Sequence, residues 1–275
     1  MSDRRLTPFS GRVALEALRG TVEAPAYTAG EAARIAVPVA DLCPAPGALR
    51  DRQVIFGAAV TVIDRRGAQA FVQAAADGYC GWVAAGALGA PQVATHRVAA
   101  PATHVYAEAS IKRGEGMRLS CGSRVAVLAE EGKFARTAEG FIPRVHLAPL
   151  DAPVPDPVAV AEALLGTPYL WGGNSRDGID CSGLVQLAFQ AAGRACPGDS
   201  DLQRAAFGAP QPEGTAPRRG DLMFWPGHVA LVVDEAQLIH ANGHTMSVAY
   251  EGIAACLARI EAAGEGPFQG LRRPG

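Results

Sequence analysis

The chain has 275 residues, of which 49% are hydrophobic and 19% are charged, so it is long and apolar enough for two or three domains with their own cores. A formal net charge of -2, with the basic residues dispersed along the chain, excludes the concentrated positive surface that binds nucleic acid. The sequence also lacks a run of about 18 apolar residues, which a membrane-spanning helix would need. These limits predict a protein with neither nucleic-acid nor membrane partners.

The N-terminal residues and the cysteines indicate the cellular compartment of the protein. Pro8, Arg12, Glu16 and Arg19 leave no room for the apolar stretch of a secretory signal peptide. The six cysteines are scattered without CxxC spacing, so we expect free thiols rather than disulfides or zinc ligands. The sequence therefore predicts a cytoplasmic protein that uses no metal and no cofactor.

The first 150 residues are dominated by short β-runs. Residues 13–19 show a brief helical pattern that ends at Gly20, within a predicted N-terminal helical segment of residues 1–29. The β-runs that follow are separated by turn residues, a pattern typical of small barrels. The stretch from Asp77 to Val83 recurs in outline between Glu139 and Pro143, which suggests two copies. We therefore predict small barrels over residues 30–91 and 92–150.

The character of the chain changes after a proline-rich linker at residues 151–157. Three prolines in seven residues favour an extended connection there. Helical spacing follows over residues 158–165 and 182–192, the second stretch ending at Gly193. Predicted strands then occupy residues 221–225, 228–234, 237–241 and 247–250. Helices followed by an antiparallel run predict an α+β domain over residues 158–275.

Cys181 is the cysteine whose surroundings indicate chemistry. It lies between a glycine-rich loop and the start of the second predicted helix. The unpaired N–H groups and positive dipole end of a helix N-terminus stabilise a thiolate, and so lower the pKa of the thiol. The same N–H groups can hold a developing oxyanion. Gly183, two residues further on, is expected to leave space for substrate.

Two histidines are predicted to lie next to each other on one hairpin. His228 opens the strand that precedes the turn at 234–235, and His240 lies in the strand that returns. A register centred on residue 234 pairs His228 with His240, and a diagonal shift keeps them neighbours. The pair therefore provides a base and a group to orient it, as nucleophilic catalysis by Cys181 requires.

These residues together resemble the NlpC/P60 cysteine peptidases. The segments that carry the resemblance are YLWGG at 169–173, DCSGLV at 180–185, GDLMFW at 220–225, GHVALV at 227–232 and IHA at 239–241. The resemblance implies a papain-like fold in which Cys181 is the nucleophile and His228 the base. It makes His240 the polar group that orients His228.

The upstream barrels resemble bacterial SH3 domains, on the segments VPVADL at 37–42, YCGWV at 79–83 and THVY at 103–106. This combination is similar to the γ-D-glutamyl-L-diamino acid endopeptidases, also called dipeptidyl peptidase VI. In that group the first barrel caps the active site. The resemblance therefore implies that Tyr79, Asp180 and Ser182 form a pocket for the free N-terminus of the substrate, because a carboxylate beside a phenol can hold an ammonium group. Trp171 and Asp51 are further predicted binding residues.

The resemblance implies hydrolysis of the bond between γ-D-Glu and an L-diamino acid in murein stem peptides that start with a free L-Ala. Recycling of cell-wall peptides is the expected context. Two alternatives remain open: an amidase or acyltransferase on the same fold, and a non-catalytic peptidoglycan-binding module. The sequence favours neither diaminopimelate nor lysine as the diamino acid, and it predicts no oligomeric state.

Overall fold

The computed structural model describes residues 3–274, which divide between Ala152 and Pro153 into two compact units. The division lies within the proline-rich linker that the sequence indicates at residues 151–157. The boundaries predicted near residues 29 and 91 stay predictions. None of the helices in the described part of the chain is long and apolar enough to cross a membrane.

The N-terminal unit is built from strands. Those up to residue 89 are β1 Val13–Leu15, β2 Ala26–Thr28, β3 Glu31–Ile35, β4 Val39–Leu42, β5 Arg52–Ile55, β6 Ala59–Arg66, β7 Gln69–Ala74, β8 Cys80–Ala84 and β9 Leu88–Gly89. Those that follow are β10 His96–Val98, β11 Ala102–Tyr106, β12 Glu115–Ser120, β13 Arg124–Val125, β14 Ala129–Glu131, β15 Phe134–Arg136, β16 Phe141–Pro143 and β17 Leu147–Pro149.

The first group of strands forms a sheet in the order β8-β7-β6-β3-β9, together with a β4–β5 hairpin. Cys43 bridges to Trp82 of β8, which connects the hairpin to this sheet. The connection requires Gly81, because a Cβ there would lie 2.7 Å from the Leu42 side chain and 2.9 Å from the Cys43 carbonyl oxygen. A barrel-like arrangement of short strands, as predicted, thus occupies this part of the unit.

The second group forms two sheets, in the orders β13-β10-β17 and β12-β11-β16-β15-β14. Their side chains enclose a core that is fully buried; its members are Phe56, Val98, Val105, Leu119, Val125 and Ile142. Phe56 comes from the chain just after β5, and its carbonyl oxygen accepts a hydrogen bond of 3.0 Å from the Arg124 N–H. The two groups of strands therefore share a hydrophobic contact within one unit.

The predicted N-terminal helical segment is wrong. Val13–Leu15 is a strand paired in parallel with Ala26–Thr28, and only Glu16–Leu18 makes a short 3-10 turn. The side chains of Val13 and Leu15 pack against the cluster that contains Phe71. Burial of these alternate residues and strand pairing outweigh the weak local preference of a short helical pattern.

The C-terminal unit combines helices with a sheet. Its elements are α1 Pro157–Glu162, β18 Asn174–Ser175, β19 Gly178–Ile179, α2 Cys181–Ala191, α3 Ser200–Ala206, β20 Leu222–Trp225, β21 His228–Val232, β22 Gln237–Asn242, β23 Ser247–Gly252, α4 Ile253–Ala263 and β24 Leu271–Arg272. The main sheet has the order β23-β22-β21-β20-β24 and is antiparallel. The unit therefore has the predicted α+β character.

One face of this sheet is covered by α4. Ala230 of β21 and Leu238 of β22 pack against Cys256 and Ile260 of that helix. Side chains two residues apart along a strand share a face. His228 and His240 are two residues from Ala230 and Leu238, and so the two histidines also belong to the face that α4 covers.

Candidate active site

Cys181 is the first residue of α2, and Asp180 caps the helix. Oδ1 of Asp180 accepts hydrogen bonds from the Gly183 N–H (2.7 Å) and the Ser182 hydroxyl (2.9 Å). Oδ2 accepts a hydrogen bond of 2.9 Å from the Gly172 N–H. This carboxylate satisfies a helix N–H group, that of Gly183, which would otherwise be unpaired, and ties the helix start to the glycine-rich loop. The cap fixes the position of Cys181.

Gly183 serves packing rather than substrate access. A Cβ at this position would lie 2.6 Å from the Gly173 carbonyl oxygen and 3.1 Å from Oδ1 of Asn174. The space that the sequence assigned to a substrate is therefore occupied by the protein's own loop. Glycine lets the first turn of α2 approach that loop closely.

The thiol of Cys181 lies against the start of β21. Its Sγ is 3.9 Å from the Gly227 carbonyl oxygen, and the backbone N–H of Val229 also interacts with it. These two backbone groups flank His228 in the chain, so the structure brings the predicted nucleophile and base together. Cys181 is only 6% exposed.

Burial, and after it the nearby Asp180 carboxylate, raise the pKa of the Cys181 thiol to about 12. The N–H groups of Val229, Ser182 and Cys181 act in the opposite direction but do not outweigh burial. The expectation of a lowered thiol pKa is therefore wrong, because desolvation of a charge outweighs the helix N-terminus at a site this enclosed. The resting group is the neutral thiol.

His228 and His240 are in direct contact. Nε2 of His228 lies 2.8 Å from Nδ1 of His240. The register differs from the predicted one, because Leu231 pairs with Ile239 instead of Gln237. A shift of two residues keeps every side chain on the same face, which explains why the two histidines still meet.

Beyond His240, the structure reveals two residues that the sequence reasoning missed. Nε2 of His240 lies 3.0 Å from Oε2 of Glu251, a close electrostatic contact whose geometry falls outside that of a hydrogen bond. Arg259 holds the same carboxylate by two hydrogen bonds, from Nε to Oε1 (2.9 Å) and from Nη2 to Oε2 (2.8 Å). Glu251 lies one residue past the predicted last strand, and Arg259 lies in α4, which was not predicted. A longer β23 would have indicated Glu251, because it shares a face with Ala249, the partner of His240.

These surroundings set the charge of each group. Burial lowers the pKa of His228 to about 3 and that of His240 to about 4. The hydrogen bonds from Arg259 lower the pKa of Glu251 to about 2. At neutral pH the two imidazoles are therefore neutral and Glu251 is ionised.

Tyr169 is a further neighbour of the nucleophile. Burial raises its pKa to about 12, and the proximity of Cys181 and Asp180 acts in the same direction. The Tyr169 N–H donates to the Met246 carbonyl oxygen (2.9 Å), which fixes its backbone. In the sequence this tyrosine is only one residue of the motif at 169–173, which by itself does not predict a functional role. Its phenol keeps its proton at neutral pH and is a potential donor near the thiol.

The predicted binding residues are distributed over both units. Tyr79 and Asp51 belong to the N-terminal unit, whereas Trp171, Asp180 and Ser182 belong to the C-terminal unit. The pocket that they would form together, and the role of each in binding, stay predictions.

Their individual surroundings differ. Tyr79 is 1% exposed, and the guanidinium of Arg52 lies 5.0 Å from its ring centre. Asp51 already accepts two hydrogen bonds from Arg4, at 2.7 and 3.1 Å, with which a substrate ammonium would have to compete. Trp171 is 60% exposed, as a residue that stacks on a ligand would be.

Three potential metal ligands lie close together behind the histidine pair. Ligand atoms of His240, Glu251 and Cys256 are within 4.8 Å of one another. Arg259 already binds the Glu251 carboxylate and places a positive charge beside the cluster. This charge opposes a cation, so the arrangement fits a hydrogen-bonded network better than a metal centre.

The family models match two segments of the chain. Residues 166–255 match the NlpC/P60 family, and residues 42–88 match the bacterial dipeptidyl-peptidase Sh3 domain. The first segment contains Cys181, His228, His240 and Glu251. The second contains Tyr79 and Asp51.

Curated relatives are similar over parts of the chain. The γ-D-glutamyl-L-lysine dipeptidyl-peptidase of Bacillus cereus is 26% identical over 235 residues, which cover 72% of this chain and 69% of that protein. The protein of the same name from Bacillus subtilis is 30% identical over 160 residues, 52% of each chain. Dipeptidyl-peptidase 6 of Lysinibacillus sphaericus is 42% identical over 87 residues, 31% of each chain. The chain thus spans about a third to two thirds of these proteins.

A crystal structure of an NlpC/P60 family protein from Bacillus cereus has a similar fold. It superposes with a TM-score of 0.74 at 22% identity, over 89% of this chain and 99% of that one. Together with the family matches, this confirms the resemblance and the fold class predicted from the sequence. The chain therefore carries an NlpC/P60 domain, preceded by a bacterial dipeptidyl-peptidase Sh3 domain.

Proposed function

We propose that the protein is a cysteine peptidase that hydrolyses the bond between γ-D-Glu and an L-diamino acid in murein stem peptides with a free N-terminal L-Ala. The observation that carries the proposal is the contact of the Cys181 thiol with the backbone around His228, whose Nε2 lies 2.8 Å from His240. A nucleophile, a base and an orienting group in one site are what amide hydrolysis requires. Relatives named for cleavage at γ-D-glutamyl-L-lysine support the choice of bond.

The resting thiol defines the first step. Because Cys181 is a neutral thiol beside a neutral His228, the proton passes to His228 as sulfur attacks the γ-carbonyl carbon. The carbonyl oxygen becomes an oxyanion, for which the N–H groups of Cys181 and Ser182 near the sulfur are suitable donors. A stable thiolate–imidazolium pair is not needed before the substrate arrives.

The second and third steps return the site to its starting state. The protonated His228 gives its proton to the amine of the diamino acid, the C–N bond breaks, and the dipeptide stays on Cys181 as a thioester. His228 then takes a proton from water, whose oxygen attacks the thioester carbon. The dipeptide L-Ala-γ-D-Glu leaves as a carboxylic acid, and the proton returns to sulfur.

Recognition of the free N-terminus is the part of the proposal that concerns the predicted binding residues. Within the C-terminal unit, we assign the substrate ammonium to Asp180 and Ser182, with Trp171 against the peptide. A carboxylate and a hydroxyl are suitable partners for an ammonium group. Tyr79 and Asp51 of the N-terminal unit stay predicted binding residues, and the match of residues 42–88 to a dipeptidyl-peptidase Sh3 domain supports a role for them in peptide recognition.

Release of the dipeptide tests the proposed function. Purified protein is incubated with L-Ala-γ-D-Glu-L-Lys, with its meso-diaminopimelate counterpart, and with both peptides acetylated at the N-terminus. We expect L-Ala-γ-D-Glu from at least one free peptide and little from the acetylated ones. If neither free peptide is cleaved, the proposed bond is wrong, and if acetylation has no effect, the assignment of the ammonium site is wrong.

We also propose a cytoplasmic location, where reduced thiols persist. All six cysteines of the chain are free thiols, as in proteins of reducing compartments. Immunoblotting of cytoplasmic and extracellular fractions tests this, and recovery of the protein from the extracellular fraction alone would contradict it.

A further inference from the structure

The histidine pair continues into a chain of contacts that crosses β22, β23 and α4. His228 meets His240 at 2.8 Å, His240 meets Glu251 at 3.0 Å, and Glu251 meets Arg259 at 2.8 and 2.9 Å. His240 is 1% exposed, and its Nε2 is shielded from solvent. The contact between His240 and Glu251 therefore forms where water has little access to the imidazole.

We infer that Glu251, held by Arg259, is a positioning residue that fixes the tautomers of both histidines and so leaves Nδ1 of His228 free to act as the base. The reaction to which this applies is that of the proposed function. Glu251 acts through His240 and need not touch the substrate.

The assignment begins at Glu251. An ionised carboxylate can only accept hydrogen bonds. Arg259 keeps Glu251 ionised at neutral pH, because its hydrogen bonds lower the pKa of this carboxyl to about 2. The nitrogen of His240 that faces it, Nε2, must therefore carry the proton. An unprotonated Nε2 would bring two acceptors to 3.0 Å of each other in a shielded place.

The proton on Nε2 of His240 determines the rest of the chain. A neutral imidazole has one N–H, so Nδ1 of His240 is an acceptor. The 2.8 Å contact then requires His228 to donate from Nε2. His228 is also neutral at rest, so its Nδ1 carries no proton. This nitrogen can therefore accept the proton of Cys181.

The opposite arrangement would satisfy the contact between the histidines equally well. In that arrangement His240 donates from Nδ1, and His228 carries its own proton on Nδ1. His228 could then not accept the proton of Cys181. The carboxylate of Glu251 favours the first arrangement, because a negative charge 3.0 Å from Nε2 of His240 stabilises a proton on that nitrogen. It also stabilises the imidazolium that forms during the reaction.

The tautomers can be measured without substrate. Long-range ¹H–¹⁵N spectra of protein labelled at histidine distinguish the N–H of Nδ1 from that of Nε2, and the His228→Asn and His240→Asn variants identify the signals. In the unaltered protein at pH 7 we expect Nε2–H for both histidines. An Nδ1–H on His228 would overturn the inference.

Replacement of Glu251 tests whether this residue determines the tautomers of the two histidines. Glu251→Met keeps the length of the side chain and excludes water but removes the acceptor. Because a buried N–H without an acceptor costs about 1–3 kcal/mol, the proton of His240 should move to Nδ1. The proton of His228 should then also move to Nδ1, so that His228 can no longer accept the proton of Cys181. As a result, kcat should fall by about 10²- to 10⁴-fold with little change in KM. Glu251→Met with both Nε2–H tautomers and unaltered kcat would overturn the inference.

Two further variants make the test specific. Glu251→Gln keeps the size of the side chain but loses the charge and gains an N–H₂ donor. Because Arg259 still needs an acceptor, the amide oxygen should face Arg259 and the N–H₂ should face Nε2 of His240. Both histidines should then show Nδ1–H signals, even if Glu251→Met does not fold. Glu162→Gln is the matched control, since Glu162 also forms an ion pair with an arginine, Arg219, in the same unit. It should leave tautomers and kcat unaltered, and a loss equal to that of Glu251→Gln would overturn the inference.

The spectra and the peptide assay can fail separately. If the unaltered protein shows the expected tautomers but releases no dipeptide, the proposed function fails and the tautomer assignment stands. If it releases dipeptide while His228 carries an Nδ1 proton, the inference fails and the proposed function stands.

Discussion

At the residue scale, the site depends on how burial and hydrogen bonds assign protons. The sequence alone predicts Cys181 and His228 as site residues, because each lies in a short motif at the start of an element, and the structure places them close together. Glu251 and Arg259 were not predictable, because their contact with His240 depends on strand register and on a helix that the sequence analysis did not identify. The thiol pKa was also beyond local reasoning, since it depends on how much of the folded unit encloses the sulfur.

The neutral resting thiol leads to a prediction about alkylation. Because burial raises the pKa of Cys181 to about 12, the thiolate fraction is small at pH 7 and grows about tenfold per pH unit. The rate of Cys181 alkylation by iodoacetamide should therefore rise steadily from pH 6 to pH 9, as measured by peptide mass spectrometry. A rate that is constant between pH 5 and pH 8 would indicate a preformed thiolate and contradict this prediction.

A second prediction concerns Tyr169. If its phenol donates a hydrogen bond near the reacting sulfur, Tyr169→Phe should lower kcat for dipeptide release by about 10- to 10³-fold. The fold should persist, because the change removes one oxygen and keeps the ring. An unaltered kcat would show that the hydroxyl takes no part in the reaction.

At the element scale, local patterns located the central helix and the strands of the C-terminal unit within a few residues. The predicted helix at 182–192 is Cys181–Ala191, and the predicted strand at 228–234 is His228–Val232. α3 and α4 were missed, since their short apolar patterns gain stability mainly by packing on the folded unit. The sequence predicts a helix where β1 lies, because the local pattern does not include the pairing with β2 that determines its conformation.

The start of α2 makes an element-scale prediction through Gly183. A Cβ there would lie 2.6 Å from the Gly173 carbonyl oxygen, so Gly183→Ala must separate the helix start from the loop. We expect a loss of about 1–3 kcal/mol in the free energy of unfolding, measured by urea denaturation. Because Asp180 and Cys181 would shift with the helix, dipeptide release should also fall.

The control for Gly183 is Gly243 in the same unit. A Cβ at Gly243 would have no heavy atom within 4 Å of it, so Gly243→Ala should leave the free energy of unfolding nearly unaltered. Equal losses in the two variants would show that the close approach at Gly183 is unimportant.

At the scale of the whole molecule, the sequence predicted two parts that differ in architecture. The prolines at residues 151–157 indicated the division that the structure places between Ala152 and Pro153. Small barrels were predictable from many short β-runs and turn glycines. The packing of Phe56 in the core of the second group of strands was not predictable, because nothing near Phe56 in the sequence indicates a contact with residues so far along the chain.

The buried histidines make a prediction about the stability of the molecule in acid. Burial lowers the pKa of His228 to about 3 and that of His240 to about 4, below the 6.5 of an exposed histidine. The unfolded chain thus binds these protons at higher pH than the folded chain. The free energy of unfolding should fall as the pH drops from 6.5 towards 4, by up to about 1.4 kcal/mol per pH unit for each histidine.

Glu251 adds to this loss at lower pH. The hydrogen bonds from Arg259 lower its pKa from 4.5 to about 2, so its stabilisation is present above pH 4.5 and is lost as the pH falls towards 2. Urea denaturation between pH 7 and pH 4 measures the slope that the histidines produce. A variant with both His228→Asn and His240→Asn should have a shallower slope, and an unaltered slope would contradict the assigned protonation states.

The central claim is that Cys181 attacks the substrate. Mass spectrometry of rapidly quenched reactions with the cleaved peptide tests it most directly, because a thioester adds the mass of the bound dipeptide to one cysteine. We predict L-Ala-γ-D-Glu attached at Cys181 during turnover, and neither the adduct nor dipeptide release with Cys181→Ala. Dipeptide release by Cys181→Ala at the unaltered rate, or an adduct on another residue, would contradict the account.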